Sequence, residues 1–435
     1  MEKQKEMERQ TELMYKVDDK PKLLSQVLLG FQHIFAAFGG IIVVPIIIAA
    51  SLKLDVKTST ALISAAILVA GIATVIQSKG IGPIGARVAC IMGTDITFVA
   101  PAAVVGKKFG LAGIFGATIL GAILVIILSF FIKYIMKLFP ELVTGIVVCL
   151  IGLTLLPVSI DWAAGGSGAH DYGSLRNISI ALIVTLITLL LNHYGKGLFS
   201  SASILIGMAV GYIICICLGM VDFSSVAKAN VISLPQVFSD GIKFNLEVLL
   251  PFIPAYCVSV ISTVGNLRAI NEISGIKDDT RISKGILSDG VGSVIAGIFG
   301  AMPNTSFSQN VGLIPLTKVA SRFVTMTAGI LLVILGLFPK FAAIINVMPQ
   351  PVLGGVGIVM FGTVAAAGIQ TLSHVKLDNR NILIIATSIG LGLGVTFRPD
   401  VLTSLPESLK MIFSSGISTG TIVALILNLI LRERK

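Results

Sequence analysis

Charge is scarce in this chain. Asp, Glu, Lys and Arg make up only 12% of its 435 residues, against roughly a quarter in a water-soluble domain, whose surface charge must cover. Most of the surface therefore faces something other than water. Catalytic signatures are missing as well: there is no HExxH, no GxSxG and no Ser/Lys dyad. The long soluble loops of a receptor are missing too. These absences argue against an intramembrane enzyme or a receptor. The five cysteines (Cys90, Cys149, Cys215, Cys217 and Cys257) lie in apolar stretches without metal-ligand spacing, and read as small buried apolar side chains. No metal or other cofactor is expected. Residues 1–22 lack the apolar core and small-residue cleavage site of a signal peptide.

What the chain does have is apolar sequence: 55% hydrophobic residues and a mean hydropathy of +0.96. A crossing helix needs about 20 apolar residues. Candidate spans start near Leu24, Ser59, Val88, Phe109, Glu141, Ile178, Ala202, Leu246, Gly285, Met302, Phe323, Val352, Ile382 and Met411, which makes fourteen. The net charge of +10 could suggest nucleic acid. The basic residues, however, sit in short loops and sort by side. With the N-terminus inside, 22 of the 32 Lys and Arg fall on that side, as the positive-inside rule requires. The expectation is a multi-pass protein of the cell membrane, in contact with lipid, with both termini cytoplasmic and no nucleic-acid partner.

Two of these spans are unusual. The third (Val88–Val105) and tenth (Met302–Leu316) are short and rich in Gly, Pro, Ser and Thr. They are the third members of the first and second seven spans. Seven is odd, so the two halves have opposite orientation. Interrupted segments at matching places of inverted halves mark a transporter's binding site, because irregular backbone is tolerated at depth only where protein or a wet cavity satisfies it. The fold class expected is an all-α membrane protein of fourteen transmembrane segments in two inverted seven-span repeats.

A polar residue inside a span is costly and asks for a reason. Gln32 and His33 lie in the first span, Asp95 in the third and Asp289 in the ninth. Gln309 and Asn310 lie in the tenth, preceded by Thr305, Ser306 and Ser308. His33 is either a core histidine bonded to backbone or a relay group near a substrate. Asp289 is either a helix cap or a coupling acid. Asp95 is harder to explain structurally, since nothing in a short interrupted span needs a carboxylate. The two amides of Gln309 and Asn310 offer donors and acceptors suited to a planar heterocycle with alternating N–H and C=O; the alternative is interhelical glue.

At these residues the chain resembles the nucleobase–ascorbate transporters, or xanthine/uracil permeases. The run Gln309-Asn310-Val311-Gly312-Leu313-Ile314-Pro315-Leu316-Thr317-Lys318 fits their signature, with Gly312 and Thr317 at its fixed positions and Lys318 at its variable last one. Phe31–Pro45, Leu287–Gly290 and Pro349–Gly355 resemble the family's first, ninth and twelfth spans. The resemblance implies a core domain (23–134 and 246–322, with span 11 at 323–340), a gate domain (141–220 and 350–432) and a solvated cytoplasmic tail at 1–22. It implies a secondary active transporter, with substrate held between core and gate and coupled to a cation, a proton being preferred to sodium. It further implies a homodimer. Gln in the signature resembles the xanthine/urate branch, so the expected substrate is a purine nucleobase such as xanthine or uric acid. Uracil, adenine, guanine, a ureide or a small anion are the alternatives. Gln309 would bond the base, with Ser308, Thr94 and Phe98 facing it. Asn310 would hold the site's shape, and His33, Gln32 and Asp289 would tune binding or coupling.

Two positions depart from the family. Its eighth span carries Glu and then Asp where this chain has Ser262 and Asn266, and its third span carries a small residue where this chain has Asp95. The expectation is that Asp95 takes over part of the missing acceptor's work beside Ser262.

Overall fold

A computed structural model describes residues 13–132, 140–234, 237–238 and 240–431. The basic residues Lys3, Lys5, Arg9, Lys133, Lys137, Arg432, Arg434 and Lys435, used in the charge count, lie outside them. Helices of eight or more residues are numbered here: α1 Leu23–Ser51, α2 Val56–Lys79, α3 Val99–Phe130, α4 Glu141–Ala163, α5 Leu175–Tyr194, α6 Ser203–Cys217, α7 Phe252–Ile273. Then follow α8 Thr280–Ile298, α9 Ser308–Thr317, α10 Arg322–Gly336, α11 Pro339–Asn346, α12 Gln350–Ser373, α13 Asn379–Phe397 and α14 Gly416–Ile430. Two strands, β1 (Met92–Thr94) and β2 (Asn304–Ser306), are the only regular extended elements among the described residues.

Apolar sequence makes these helices and short polar side chains start them. Asp55 accepts from the Lys57 and Thr58 amides at the start of α2, and Ser174, Ser321, Asp378 and Ser415 cap α5, α10, α13 and α14 in the same way. Among the described residues eight helices are long and apolar enough to cross a membrane, or nine if α10 and α11, bent by 81° at their junction, form one span. The segment expected as span 11, at 323–340, falls on α10 and the start of α11. The expected third and fourth spans are joined in α3. Gly110 alone breaks it, at φ 66° and ψ −167°, a backbone state that glycine adopts at little cost.

The two short spans are half strand and half helix. β1 and β2 pair antiparallel in the register Met92–Ser306, Gly93–Thr305, Thr94–Asn304. The ladder is extended by the Asp95 amide donating to Pro303 O (3.2 Å) and the Phe307 amide to Ile91 O (2.9 Å). Each strand thus satisfies the other's backbone, which is what permits extended chain in the bundle's interior. From the strands the chain enters α3 and α9, which leave toward opposite ends. α9 finishes at Lys318, in the left-handed region at φ 59°, beside the N-terminal segment. The first part of α3 ends at Lys108, near the end where Asn346 bonds Val56 O.

The helices pack in two groups. α2 lies along α10 and α3 along α8, while α4 lies along α12 and α13 along α14. Small residues permit the close crossings: a Cβ on Gly71 would strike the α10 backbone, and one on Gly368 the backbone at Cys149.

Residues 13–22 correct the expectation of a solvated tail. Met14 N donates to Lys318 O (2.8 Å), Ala320 N to Tyr15 O (2.9 Å) and Arg322 N to Val17 O (3.0 Å). Arg322 Nε pairs with Asp18 (2.7 Å), and Ser321 Oγ donates to Asp19 O (2.6 Å). A strap of chain is therefore laid across the α9–α10 turn. The loop after α4 is ordered by bonds of its own. Tyr172 donates to Asp161 (2.8 Å) and Arg176 to Asp171 (3.0 Å).

Candidate functional site

The strand pair sets the site, because the residues that follow β1 and β2 start two helices back to back. Ser308 and Gln309 open α9 and are exposed, and Gly312, Pro315 and Leu316 continue the exposed strip down the helix to Lys318. Across from it α7 presents half-buried Ser262 and exposed Gly265. A Cβ added at Gly265 or Gly312 would meet nothing within 4 Å. The accessible strip runs from the strands toward the end that carries the N-terminal strap. The helix-starting amides of α9 lie beside Gln309, a favourable place for an electron-rich carbonyl edge.

Behind this open face the polar groups are tied together. Asn310 is 1% exposed. Its Nδ2 donates to His33 O (2.9 Å) and reaches His33 Nδ1 (3.2 Å). His33, itself buried in α1, is thus attached to the signature helix through both backbone and ring; Nδ1 acts as acceptor, so the ring proton is assigned to Nε2. Gln32, next to it, is half-buried. Thr317 returns its hydroxyl to Leu313 O (2.9 Å), closing α9.

A second cluster joins α7, α8 and β2. Asp289 of α8, 3% exposed, takes hydroxyl bonds from Thr263 and Thr305 (3.4 Å) on Oδ2. Its Oδ1 is buried without a partner among the described residues. Thr263 also meets Thr305 Oγ1 (2.9 Å) and accepts from Ser306 Oγ (3.1 Å). Asn266 Nδ2 donates to both Ser306 O and Ser306 Oγ at 3.0 Å. Asp289 therefore is no helix-start cap, and Asn266 holds the strand leading to Gln309.

Three residues need correction. Thr94, expected to face the ligand, is fully buried and donates to Ile41 O of α1 (2.8 Å). Phe98, expected beside it, is also fully buried; its ring stacks on Phe252 and packs against Tyr256, with centroids 5.9 and 4.6 Å away. Both support the site from behind, because β1 is covered on both faces. Asp95 does have a structural task. Its Oδ1 accepts from the Thr97 amide (2.9 Å) and hydroxyl (2.8 Å), starting the turn into α3. Ser259 of α7, one turn from Ser262, lies near the same carboxylate. Sequence reasoning missed Thr263 and Ser259. A lone hydroxyl in an apolar helix carries no periodic signal, and only the strand register brings its partners together.

A permease-family model of the xanthine/uracil type matches residues 24–401. A putative purine permease of Clostridium perfringens is 64% identical over 434 residues, covering 100% of this chain and 96% of the relative. A xanthine permease of Bacillus subtilis is 38% identical, covering 92% of each chain. A uric acid transporter of Escherichia coli is 37% identical, covering 94% of this chain and 87% of the relative. Among solved structures, the transmembrane domain of a cyanobacterial bicarbonate transporter superposes with a TM-score of 0.59 at 15% identity, over 92% of this chain and all of that one. A murine solute carrier 26 anion transporter in its inward-facing state gives 0.65 at 10% identity, over 95% and 69%. These two likenesses describe the fold.

Proposed function

We propose, from the premise that the chain belongs to the xanthine/uracil permease family, that it carries xanthine or uric acid across the cell membrane by cation-coupled symport. The protein is a multi-pass membrane permease and not an enzyme, and its substrate class is the purine nucleobase. The observation that carries the substrate reading is the exposed Ser308–Gln309 pair at the start of α9, facing Ser262 and backed by the Asn310–His33 bonds. Gln309 presents an acceptor and a donor to the alternating edge of an oxidised purine.

Asp95 supplies the negative charge that Ser262 does not. Its nearness to Ser259, one turn from Ser262 on α7, supports this reading. A carboxylate at the start of α3 also disfavours the small anion that the fold alone would allow, since it opposes the positive end of that helix. Asp289 is the coupling group in this reading. Its unpartnered Oδ1 is the place for a proton, which is preferred to sodium.

The finer architecture follows the same reading: fourteen spans in two inverted repeats, a core and a gate domain, and cytoplasmic termini. The two half-helices leaving one antiparallel strand pair support the repeat, and the two packing groups support core and gate. A homodimer remains the family expectation; α5 and α13 expose Leu182, Leu186, Leu190, Ile382 and Leu391 for lipid or a second copy. Uptake of labelled xanthine and uric acid into cells lacking purine permeases, with an uncoupler as control, tests the function. Saturable uptake stopped by the uncoupler is expected. Uptake of neither base by protein present at the membrane would refute the substrate.

A further inference from the structure

We infer that Thr263 is the positioning residue through which the coupling carboxylate Asp289 and the substrate helix α9 sense each other. The inference rests on the coupling reading above and adds the contact that transmits it. A hydroxyl has one proton to give and two lone pairs. Thr263 donates to Asp289 Oδ2 and accepts from Ser306, and its second lone pair faces Thr305 Oγ1, whose single proton is shared between Thr263 and Asp289 Oδ2. No other described side chain touches Asp289, Thr305 and Ser306 together.

Its place in the chain gives this arrangement a consequence. Thr305 and Ser306 are the last two residues of β2, and Ser308 and Gln309 follow within three positions. Asn266, one turn beyond Thr263 on α7, holds Ser306 from the other side. β2 is therefore held by its ladder to β1, by α8, where Ser293 bonds the N–H and C=O of Asn304, and by α7, which alone among the described elements bonds the Ser306 side chain. A change of charge on Asp289 alters which partner the Thr263 proton serves. The effect reaches Ser306, and through three peptide units Gln309, without any group having to move far.

The titratable groups facing Asp289 from the elements packed against it are Asp95 and Cys90. Neither touches β2 through a side-chain bond. Two hydrogen-bonded routes therefore lead from Asp289 to β2, one through Thr263 of α7 to Ser306 and one directly to Thr305. The direct Thr305–Asp289 contact, at 3.4 Å, is the longer of the two.

The test separates exchange from accumulation. Labelled xanthine, or uric acid, is given to membrane vesicles bearing the full chain, first as gradient-free counterflow and then with an imposed inward proton gradient. Thr263→Val keeps the side-chain volume and removes the hydroxyl. It is expected to keep counterflow but to lose about tenfold or more of the gradient-driven stimulation, the effect of one hydrogen bond to a charged group. Thr263→Ser is expected to restore it. Thr263→Cys, with a weak donor of similar size, gives the same sign and serves if the valine variant does not reach the membrane. Wild-type stimulation in Thr263→Val or Thr263→Cys overturns the inference. A wild type that exchanges neither base refutes the substrate reading instead, and one that exchanges base without responding to the gradient refutes the coupling reading.

Discussion

At the scale of single residues the bonds of Asn310 and Asp95 give opposite forecasts for conservative changes. Asn310 Nδ2 donates to His33 O as well as to the ring. His33→Ala leaves the backbone bond in place, whereas Asn310→Ala removes both bonds and leaves the buried His33 Nδ1 without its donor. An unsatisfied buried acceptor costs about 1–3 kcal/mol. Uptake, normalised to surface expression, should fall about tenfold further in Asn310→Ala than in His33→Ala. Equal losses would mean that the ring, not the backbone, carries the contact. Asp95→Asn keeps an oxygen for the Thr97 amide, since Asn caps nearly as well as Asp, but removes the charge. If the charge serves the base, the half-saturating xanthine concentration should rise by about tenfold to a hundredfold while expression holds. Unchanged affinity would leave Asp95 as a cap only.

The same residues mark how far the sequence could be read. Gln309, Asn310 and His33 stood out because polar groups in apolar spans are rare, and the signature put two of them side by side. Thr94 and Phe98 were misplaced because a three-residue strand covered on both faces has no alternating pattern to reveal its orientation. Asp95 looked free of structural duty because its partner Thr97 is local and caps a turn that hydropathy does not show.

Elements were legible where they were long. The apolar runs gave the helices within a few residues, and the Gly/Ser/Thr-rich segments gave the two interrupted spans. The strap at residues 14–19 could not be read, because it is short and charged and its bonds are mainly backbone to backbone. Its stability should therefore depend on the chain rather than on its charges. The Asp18–Arg322 pair is exposed on the Asp18 side, and such pairs contribute about 0–1 kcal/mol. Removing residues 1–19 should accelerate amide exchange at Ala320 and Arg322, whose N–H groups bond Tyr15 O and Val17 O, whereas Asp18→Asn should change it by less than about fivefold. Equal protection in the truncated chain would show that the turn stands without the strap.

For the whole molecule the decisive asymmetry lies between the two ends. The accessible strip on α9 and α7 opens toward the strap, while at the other end Lys108 bonds both Glu247, ahead of α7, and Glu407, ahead of α14. These carboxylates belong to different packing groups, so on the proposed core-and-gate reading alternating exposure of the site parts Lys108 from Glu407. The side chain of Glu407 is 79% exposed. A pair so exposed and screened holds a state only weakly, enough to bias an equilibrium and too little to lock it. Lys108→Gln should shift the population toward the state open at this end. In a background lacking Cys217 and Cys257, a cysteine at Ser262 should then react up to about fivefold faster with a membrane-impermeant thiol reagent applied from that side. Raising the salt concentration should produce part of the same increase in the unmodified pair by screening it, and should do nothing further in Lys108→Gln. A labelling rate indifferent to both treatments would place closure elsewhere, in the packing between α4 and α12 and the core rather than in this ion pair.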